Sequence, residues 1–390
     1  MEDLRKLRFI PKDNSPTVHF AEAKHKTKKY RVGIKEKDRF QHTYIIGKTG
    51  TGKTTLMKIK IKQDIQNGKG IAIFDPHGDL AESVISMIPQ HRQKDLIYFD
   101  FPNPNCKLQY NPIKRVSLHK RPLVASGLLE AFKKQFGADS WGVRMEHILR
   151  NCLLTLLDQK HADFSCITKL LNDKDYRNEC IRNISNESVI DFWKYEFNQY
   201  PPYTRQSAIA PIQNKVGAYL SNPVTKRILV DNQNDVSFRQ AMDSNKIIVF
   251  NLAKGRIGDD ASNLLGGLFL TSLGLSAFSR QDIPENQRQS FFIYCDEFQN
   301  FTTPFMVNAL SELRKYKIGL ILAHQYLKQI DNDIREAILG NVGTMIVFRV
   351  GVADASYFAR EFDGKISITN QPNFSMCLRS IENGNFSANI

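Results

Sequence analysis

The stretch Tyr44-Ile-Ile-Gly47-Lys-Thr-Gly50-Thr-Gly52-Lys53-Thr54-Thr55-Leu56-Met57 reads as an apolar strand running into a glycine loop and then a helix. Gly47 to Thr54 fits the pattern G-x-x-x-x-G-K-[ST]. Consecutive backbone N–H groups wrap a phosphate only where side chains do not intrude. The run Gly47, Lys48, Thr49, Gly50, Thr51, Gly52, Lys53, Thr54 and Thr55 is therefore the expected triphosphate cradle. Lys53 is expected to reach the β- and γ-phosphates, and the Thr54 hydroxyl to ligate Mg2+.

Composition sets the frame around that loop. At 390 residues the chain has room for two or three domains, or for one α/β domain with an insertion. A net charge of +14 and a pI near 9.4, with 24% charged residues, reflect an excess of Lys and Arg. An acidic polymer is the expected partner. Cys106, Cys152, Cys166, Cys180, Cys295 and Cys377 are scattered, without a C-x-x-C pair or a His at ligand spacing. Neither a zinc site nor a disulfide framework is indicated, and a reducing cytoplasm fits. The start, Met-Glu-Asp-Leu-Arg-Lys, lacks the apolar segment of a signal peptide. Ala261 to Ser279 is uncharged but holds Ser262, Asn263, Gly266, Gly267, Thr271, Ser272, Gly274 and Ser276, so a buried core helix is expected rather than a membrane span.

Residues 1–40 carry twelve Lys/Arg against six Asp/Glu, with Lys24, Lys26, Lys28, Lys29 and Arg31 clustered, and are expected to touch nucleic acid or to be only a solvated basic arm or short cap on the core. Residues 41–115 begin an α/β unit. The helix after the loop is expected to stop at Asn67-Gly68, and Gly70-Ile-Ala-Ile-Phe-Asp75 is a second, nearly continuous apolar strand. It ends in Asp75-Pro-His77-Gly-Asp79, at the strand end where α/β sheets place ligands. Two readings stay open there: His77 and Asp79 face a nucleotide or a neighbouring subunit, or Asp79 caps a strand-to-helix turn. Asp95 to Asp100 is a third strand. From 116 to 227 the periodicity becomes helical without a strand pattern, as in Ile148, Leu149, Leu153, Leu154 and Leu157, which predicts an all-helical insertion domain.

Residues 228–390 return to strands and helices. Lys246 to Asn251 is a strand, followed by Lys254-Gly-Arg256, expected to be a short basic loop and a candidate DNA contact or an ordinary surface turn. Phe291-Phe-Ile-Tyr-Cys-Asp296-Glu297 is an apolar strand ending in two acids, the Walker B pattern. Asp296 is suited to support Mg2+ and Glu297 to polarise the attacking water. Ile318 to Gln325 is a further strand, whose terminal amide is expected to sense the γ-phosphate or water, or else forms with its neighbour a helix-capping polar pair at a strand exit. A helix from Pro304 to Tyr316 puts Arg314 near its end, as an arginine finger for a neighbour's site or simply a cation at a helix C-terminus. Thr344 to Arg349 is one more core strand, and Ser375 to Arg379 with Asn383-Gly384 predicts a terminal hairpin.

Gly47 to Thr55, Asp75 to Asp79, Asp296-Glu297, Arg314-Lys-Tyr316, Ala323-His-Gln325 and Asn341 to Arg349, in that order, resemble the HerA/FtsK superfamily of ring ATPases. Within it, the chain is most similar to the type IV coupling proteins of conjugation and secretion, the TraG/TraD-like branch. The resemblance implies a RecA-like P-loop core, mainly parallel, that assembles as a homo-hexamer and moves DNA through a central channel using ATP and Mg2+. It implies that Lys53 and Thr54 bind phosphates and metal, Asp296 supports the metal, Glu297 activates water, Gln325 senses the γ-phosphate and Arg314 acts in trans. Asp75, Asp79 and Arg349 match motif positions that contact nucleotide or subunit, and Lys254 and Arg256 are the DNA candidates.

Coupling proteins usually begin with transmembrane helices. No such segment is expected here, so the location would be cytoplasmic, or peripheral at the inner membrane through partners. The expected partners are DNA, single- or double-stranded, with relaxase and secretion-channel proteins or a nuclease. Alternatives are a HerA-like helicase in DNA-end processing or defence, a DNA-packaging motor, or a nucleotide switch or scaffold that moves nothing. A GTPase is disfavoured because Asn214-Lys-Val-Gly217 lacks the acid of N-K-x-D. An ABC-type ATPase would need a serine-glycine-glycine signature that the sequence lacks.

Overall fold

The computed structural model describes residues 16–25, 28–136, 141–230, 234–362, 368–380 and 384–390. Its frame is a single sheet of eleven strands among those residues. In chain order they are β1 (Thr17–His25), β2 (Lys28–Lys35), β3 (Thr43–Ile46), β4 (Gly70–Asp75), β5 (Leu96–Asp100) and β6 (Ile247–Asn251). Then follow β7 (Phe291–Cys295), β8 (Ile318–His324), β9 (Thr344–Val347), β10 (Ser375–Ser380) and β11 (Gly384–Asn389). The spatial order is β2-β1-β11-β10-β9-β3-β8-β7-β4-β6-β5.

From β9 to β5 every neighbour pair is parallel. These strands are buried along their whole length in β3, β4, β6, β7, β8 and β9. That is why they read as continuous apolar runs: helices cover both faces of such a sheet. The helices Lys53–Gln66 and Asp79–Met87 pack on one face through Leu56, Met57, Ile61, Ile65, Leu80 and Val84. The other face is covered by the helix Asp259–Phe278 and, beyond it, by the helices between β5 and β6. Asp259–Asp282 is the one helical stretch among the described residues long and apolar enough to cross a membrane. It is 78% buried, as a core helix is.

The helical segment runs from Arg121 to Leu229 with no strand among its described residues. Its entry and exit are stitched together. Gln109 bridges Asp235, Tyr110 N–H donates to Ile228 O at 3.0 Å, and Lys114 pairs with Asp235 at 2.7 Å. Phe99, Phe101, Tyr110, Phe238, Phe250 and Phe269 form one aromatic cluster where the segment meets the sheet. The mainly parallel α/β core with a helical insertion is thus the fold.

The remaining strands extend the sheet in antiparallel fashion. β10 pairs β9, β11 pairs β10, and β1 pairs both β11 and β2. The terminal hairpin is therefore present, although Asn383 lies outside the described residues, as do Lys26 and residues 1–15. Lys24, Lys28, Lys29 and Arg31 are exposed along β1 and β2 at the sheet margin. Such charge discourages pairing with another chain's edge.

Three local expectations need correction. Lys254–Ile257 is a turn of helix, not a loop. It follows directly from β6 and is docked by Lys254 N–H on Pro76 O at 2.9 Å, which fixes a conformation the glycine alone would leave open. The helix expected from Pro304 to Tyr316 is α-helical only over Phe305–Glu312 and tightens to a 3-10 turn over Leu313–Tyr316. The turn after β4 is capped by Asp75 rather than Asp79. Asp75 Oδ1 accepts from His77 N–H and Oδ2 from Ala81 N–H, each at 2.9 Å.

Candidate active site

The carboxyl ends of the parallel strands gather the site. β3 delivers the glycine loop, and the adjacent strands β8 and β7 deliver Gln325 and the acids Asp296 and Glu297. The loop is held at its start by Gly47 N–H donating to His324 O (3.3 Å) and Lys48 N–H donating to Arg349 O (2.9 Å). Gly50 and Gly52 have φ of +76° and +120°, conformations that side chains disfavour. At Gly47 an added Cβ would lie 2.5 Å from Phe348 Cβ, so the loop also needs a glycine for space there.

Lys53 is buried inside the loop's curve, its ammonium donating to Gly47 O at 2.7 Å and Lys48 O at 3.3 Å. Burial lowers its pKa, while Glu297 and Asp296 oppose that shift. The Thr54 hydroxyl donates to Asp296 Oδ2 at 3.1 Å. Burial, then the neighbouring charges of Glu297 and Asp75, push the Asp296 carboxyl up to about 6. A hydroxyl and a carboxylate at hydrogen-bond distance, in a pocket rich in negative charge, are a donor set suited to Mg2+, which takes oxygen ligands. The residues present therefore fit a magnesium triphosphate: a glycine loop, a lysine within it, and an oxygen pair beside it.

Glu297 has φ +45°, uncommon for a residue with a side chain. Its N–H donates to Asp296 Oδ1 at 3.0 Å. Both of its carboxylate oxygens are held by amides: Gln325 Nε2 donates to Oε1 at 2.9 Å and Gln299 Nε2 to Oε2 at 2.8 Å. Gln325 is fixed in turn, because Gln329 Oε1 accepts from Gln325 N–H and Tyr326 N–H at 3.0 Å each. His324, the last residue of β8, is buried with Nε2 at 2.5 Å from Tyr44 OH. Burial and then Lys53 lower its pKa to about 3, so it is neutral.

A family model described as the central domain of the helicase HerA matches residues 24–273. The chain belongs to the HerA central-domain family. A second model, the TraM recognition site of TraD and TraG, matches residues 290–370 of this HerA-family chain. No curated protein sequence matches it. Among solved structures, the plasmid coupling protein TrwB with the non-hydrolysable ATP analogue ADPNP aligns at a TM-score of 0.73 and 13% identity, covering 100% of this chain and 92% of that one. TrwB with ADP and Mg2+ aligns at 0.67 and 13%, covering 92% and 87%. VirB4 of Thermoanaerobacter pseudethanolicus aligns at 0.63 and 14%, covering 97% and 96%. At these identities the likeness is one of fold.

Within this HerA-type frame the structure brings together Gly47–Thr55, Asp296, Glu297 and Gln325. Asp75 lies one strand further along with both oxygens engaged by its own turn, and His77 and Asp79 are exposed beside it. Lys254 and Arg256 stand on the same rim, with Lys254 3.7 Å from Asp259. Arg349 is engaged beside the loop: its guanidinium donates to Asn373 Oδ1 (2.8 Å) and Gln371 O (3.3 Å), and its carbonyl accepts from Lys48 N–H (2.9 Å). Arg314 is exposed at the opposite, amino end of β8 and is not brought to this chain's own loop. Sequence reasoning missed Gln299 and Gln329. The first carries a faint signal, an amide two residues beyond Glu297. The second has none, because its role is made by a turn closing back on Gln325.

Proposed function

We propose that this chain is an ATP-hydrolysing DNA translocase of the coupling-protein type, working as a homo-hexamer that moves DNA through a central channel in conjugation or type IV secretion. The observation that carries the hydrolytic part is the Thr54 hydroxyl 3.1 Å from Asp296, with Glu297 next in sequence and gripped by two amides. A bound magnesium triphosphate supplies the bond to be broken and the cation that balances its charge. Lys53 would turn from the loop carbonyls to the β- and γ-oxygens, and Thr54 and Asp296 would hold the metal. Glu297 would accept a proton from the attacking water, oriented by Gln325, which is assigned to sense the γ-phosphate.

The coupling-protein reading is supported by the match of residues 290–370 to the TraM recognition site of TraD and TraG, which also favours a protein partner. TrwB, of the same fold, has been solved with ADP and Mg2+. The net charge of +14 suits a DNA partner, with Lys254 and Arg256 as contacts, and Arg314 is assigned to the neighbouring subunit's site. The location is cytoplasmic or peripheral at the inner membrane through partners. A second reading, a HerA-like helicase working with a nuclease, is favoured by the match over residues 24–273.

Steady-state ATP hydrolysis with and without DNA tests the proposal. DNA should stimulate the wild type, and Glu297→Gln should lower the rate by about 10² to 10⁴ while nucleotide still binds. Hydrolysis indifferent to DNA, with no ring detected by mass measurement in the presence of ATP, would defeat the translocase reading. The DNA affinity should fall steeply with salt, since each neutralised phosphate releases counterion.

A further inference from the structure

One aromatic side chain at the mouth of the glycine loop has no part in the scheme above. Phe374 is 45% exposed and has φ +65°, a conformation that bulky side chains rarely adopt. A core residue would be buried, and a free turn would place Gly or Asn at such a φ. Phe374 is nevertheless tied down tightly. Its N–H donates to Thr51 O of the loop at 2.9 Å, and its own carbonyl accepts from Ile390 N–H at 2.9 Å. Arg349 holds the same turn through Asn373 and Gln371, while its backbone carbonyl holds Lys48. The loop and the Phe374 turn are therefore one rigid unit, and Arg349 is its clasp.

The side chains in this unit converge on one point. A Cβ placed on Gly52 would lie 3.1 Å from Phe348 Cε1, 3.1 Å from Phe374 Cδ1 and 3.3 Å from Ile390 Cδ1. Gly52 is the last residue before the helix Lys53–Gln66, so this point stands at the helix N-terminus where backbone N–H groups receive phosphate. Phe348 is fully buried and Ile390 partly so, leaving the Phe374 ring as the exposed face of an apolar shelf.

We propose that Phe374, backed by Phe348 and Ile390, is the platform on which the face of the nucleotide's purine base stacks, with Arg349 as the residue that positions it. This rests on the nucleotide-binding reading above. Stacking uses the π-face that every base has, so the platform serves adenine and guanine alike.

The test compares ligands with and without a base on the full chain: non-hydrolysable ATP and GTP analogues and inorganic tripolyphosphate, each with Mg2+, by titration calorimetry. Phe374→Ala should weaken both nucleotides about ten- to a hundredfold and leave tripolyphosphate unchanged. Phe374→Trp should retain nucleotide affinity, and its fluorescence should change with nucleotide but not with tripolyphosphate. Arg349→Ala should share the selective loss for nucleotides in weaker form. An equal loss for tripolyphosphate would overturn the platform, because the ring would then only shape the loop. A loss confined to one nucleotide would overturn face stacking, and unchanged binding of both would overturn the assignment altogether. If the wild type bound none of the three ligands, the nucleotide reading itself would fall, and the platform with it.

Discussion

The carboxamide of Gln325, at the end of β8, donates to Glu297 Oε1 at the end of the neighbouring strand β7, 2.9 Å away. With Gln299 on the other oxygen at 2.8 Å, the carboxylate proposed as base has its plane set by two amides on different elements. A base must hold its lone pair in line with the water it deprotonates, and a misplacement of about 1 Å can cost about 10² in rate. Gln299→Ala should therefore slow ATP hydrolysis by about tenfold, and Gln325→Ala, which also loses its own proposed contact to the γ-phosphate, by about a hundredfold. Affinity for a non-hydrolysable analogue should stay within a few-fold of wild type. Gln299→Asn, which keeps an amide on a shorter arm, should recover part of the loss. A drop in affinity equal to the drop in rate would mean that the amides support the loop rather than the base.

Arg314 precedes β8, whose seven residues Ile318–His324 separate it from Gln325. At about 3.3 Å per residue that is roughly 20 Å of strand, beyond the reach of any side chain. If Arg314 serves hydrolysis, it does so at another subunit's site. Arg314→Ala and Glu297→Gln proteins should each be nearly inactive alone, and mixing them should recover activity, because mixed neighbours assemble sites with one intact half from each. An arginine finger is worth about 10³ to 10⁵ in rate where it acts, so the recovery should be plain in a steady-state assay. Absence of recovery in verified mixed assemblies would remove the role.

The parts of this molecule that were legible in the sequence are those written in short spans. Gly47 to Thr54 announces itself because a phosphate cradle needs glycines and a lysine at fixed spacing. The parallel strands do so because burial on both faces leaves runs such as Ile71 to Phe74 apolar throughout. The helical insertion showed as a change of period. What was not legible is made between distant residues. Glu22 pairs with Asn389 across nearly the whole chain, so the antiparallel extension has no local signature. Lys254-Gly-Arg256 suggested a loop because glycine weakens helices, and the docking of Lys254 on Pro76 O outweighs that preference. Asp75 and Asp79 are both plausible caps by composition, and only the path of the turn shows that Asp75 receives the two N–H groups.

The same long-range character marks the polar network on the sheet face covered by the helix Lys53–Gln66. Arg39, just ahead of β3, makes a two-pronged pair with Asp64 of the helix Lys53–Gln66, both contacts 2.6 Å, and Tyr294 OH of β7 donates to the same carboxylate at 2.5 Å. All three are buried, and the guanidinium lies 3.5 Å above the Phe292 ring. Removing either charged member strands the other in a dry environment. Asp64→Ala should therefore destabilise the fold by about 3–5 kcal/mol, whereas the double change Arg39→Met with Asp64→Leu should cost much less. Urea midpoints at neutral pH, followed by circular dichroism, would read the difference. A double variant as unstable as Asp64→Ala would show that the shape of the pair, not the stranded charge, sets the cost.

His42 gives the fold a specific weakness toward acid. Leu320 N–H donates to its Nδ1 at 3.1 Å, so the ring proton sits on Nε2 and donates to Leu310 O at 2.9 Å. Protonating Nδ1 would set a proton against the Leu320 N–H. Burial, reinforced by the charge of Arg314, lowers the pKa to about 4 against an ordinary 6.5, while the bond to Leu310 O opposes the shift. The unfolded chain thus takes up this proton before the folded one does. The contribution is fully present above about pH 6.5 and is lost as pH falls toward 4, by up to about 3 kcal/mol at roughly 1.4 kcal/mol per unit. His42→Asn keeps an acceptor for Leu320 and suits the positive φ of 62° at this position. It should be less stable than wild type at pH 7, with the gap between their urea midpoints closing as pH is lowered from 6.5 toward 4. His324 is present in both proteins, so its own titration cancels in the comparison. A gap that stays constant across that range would show that His42 does not titrate between the folded and unfolded states.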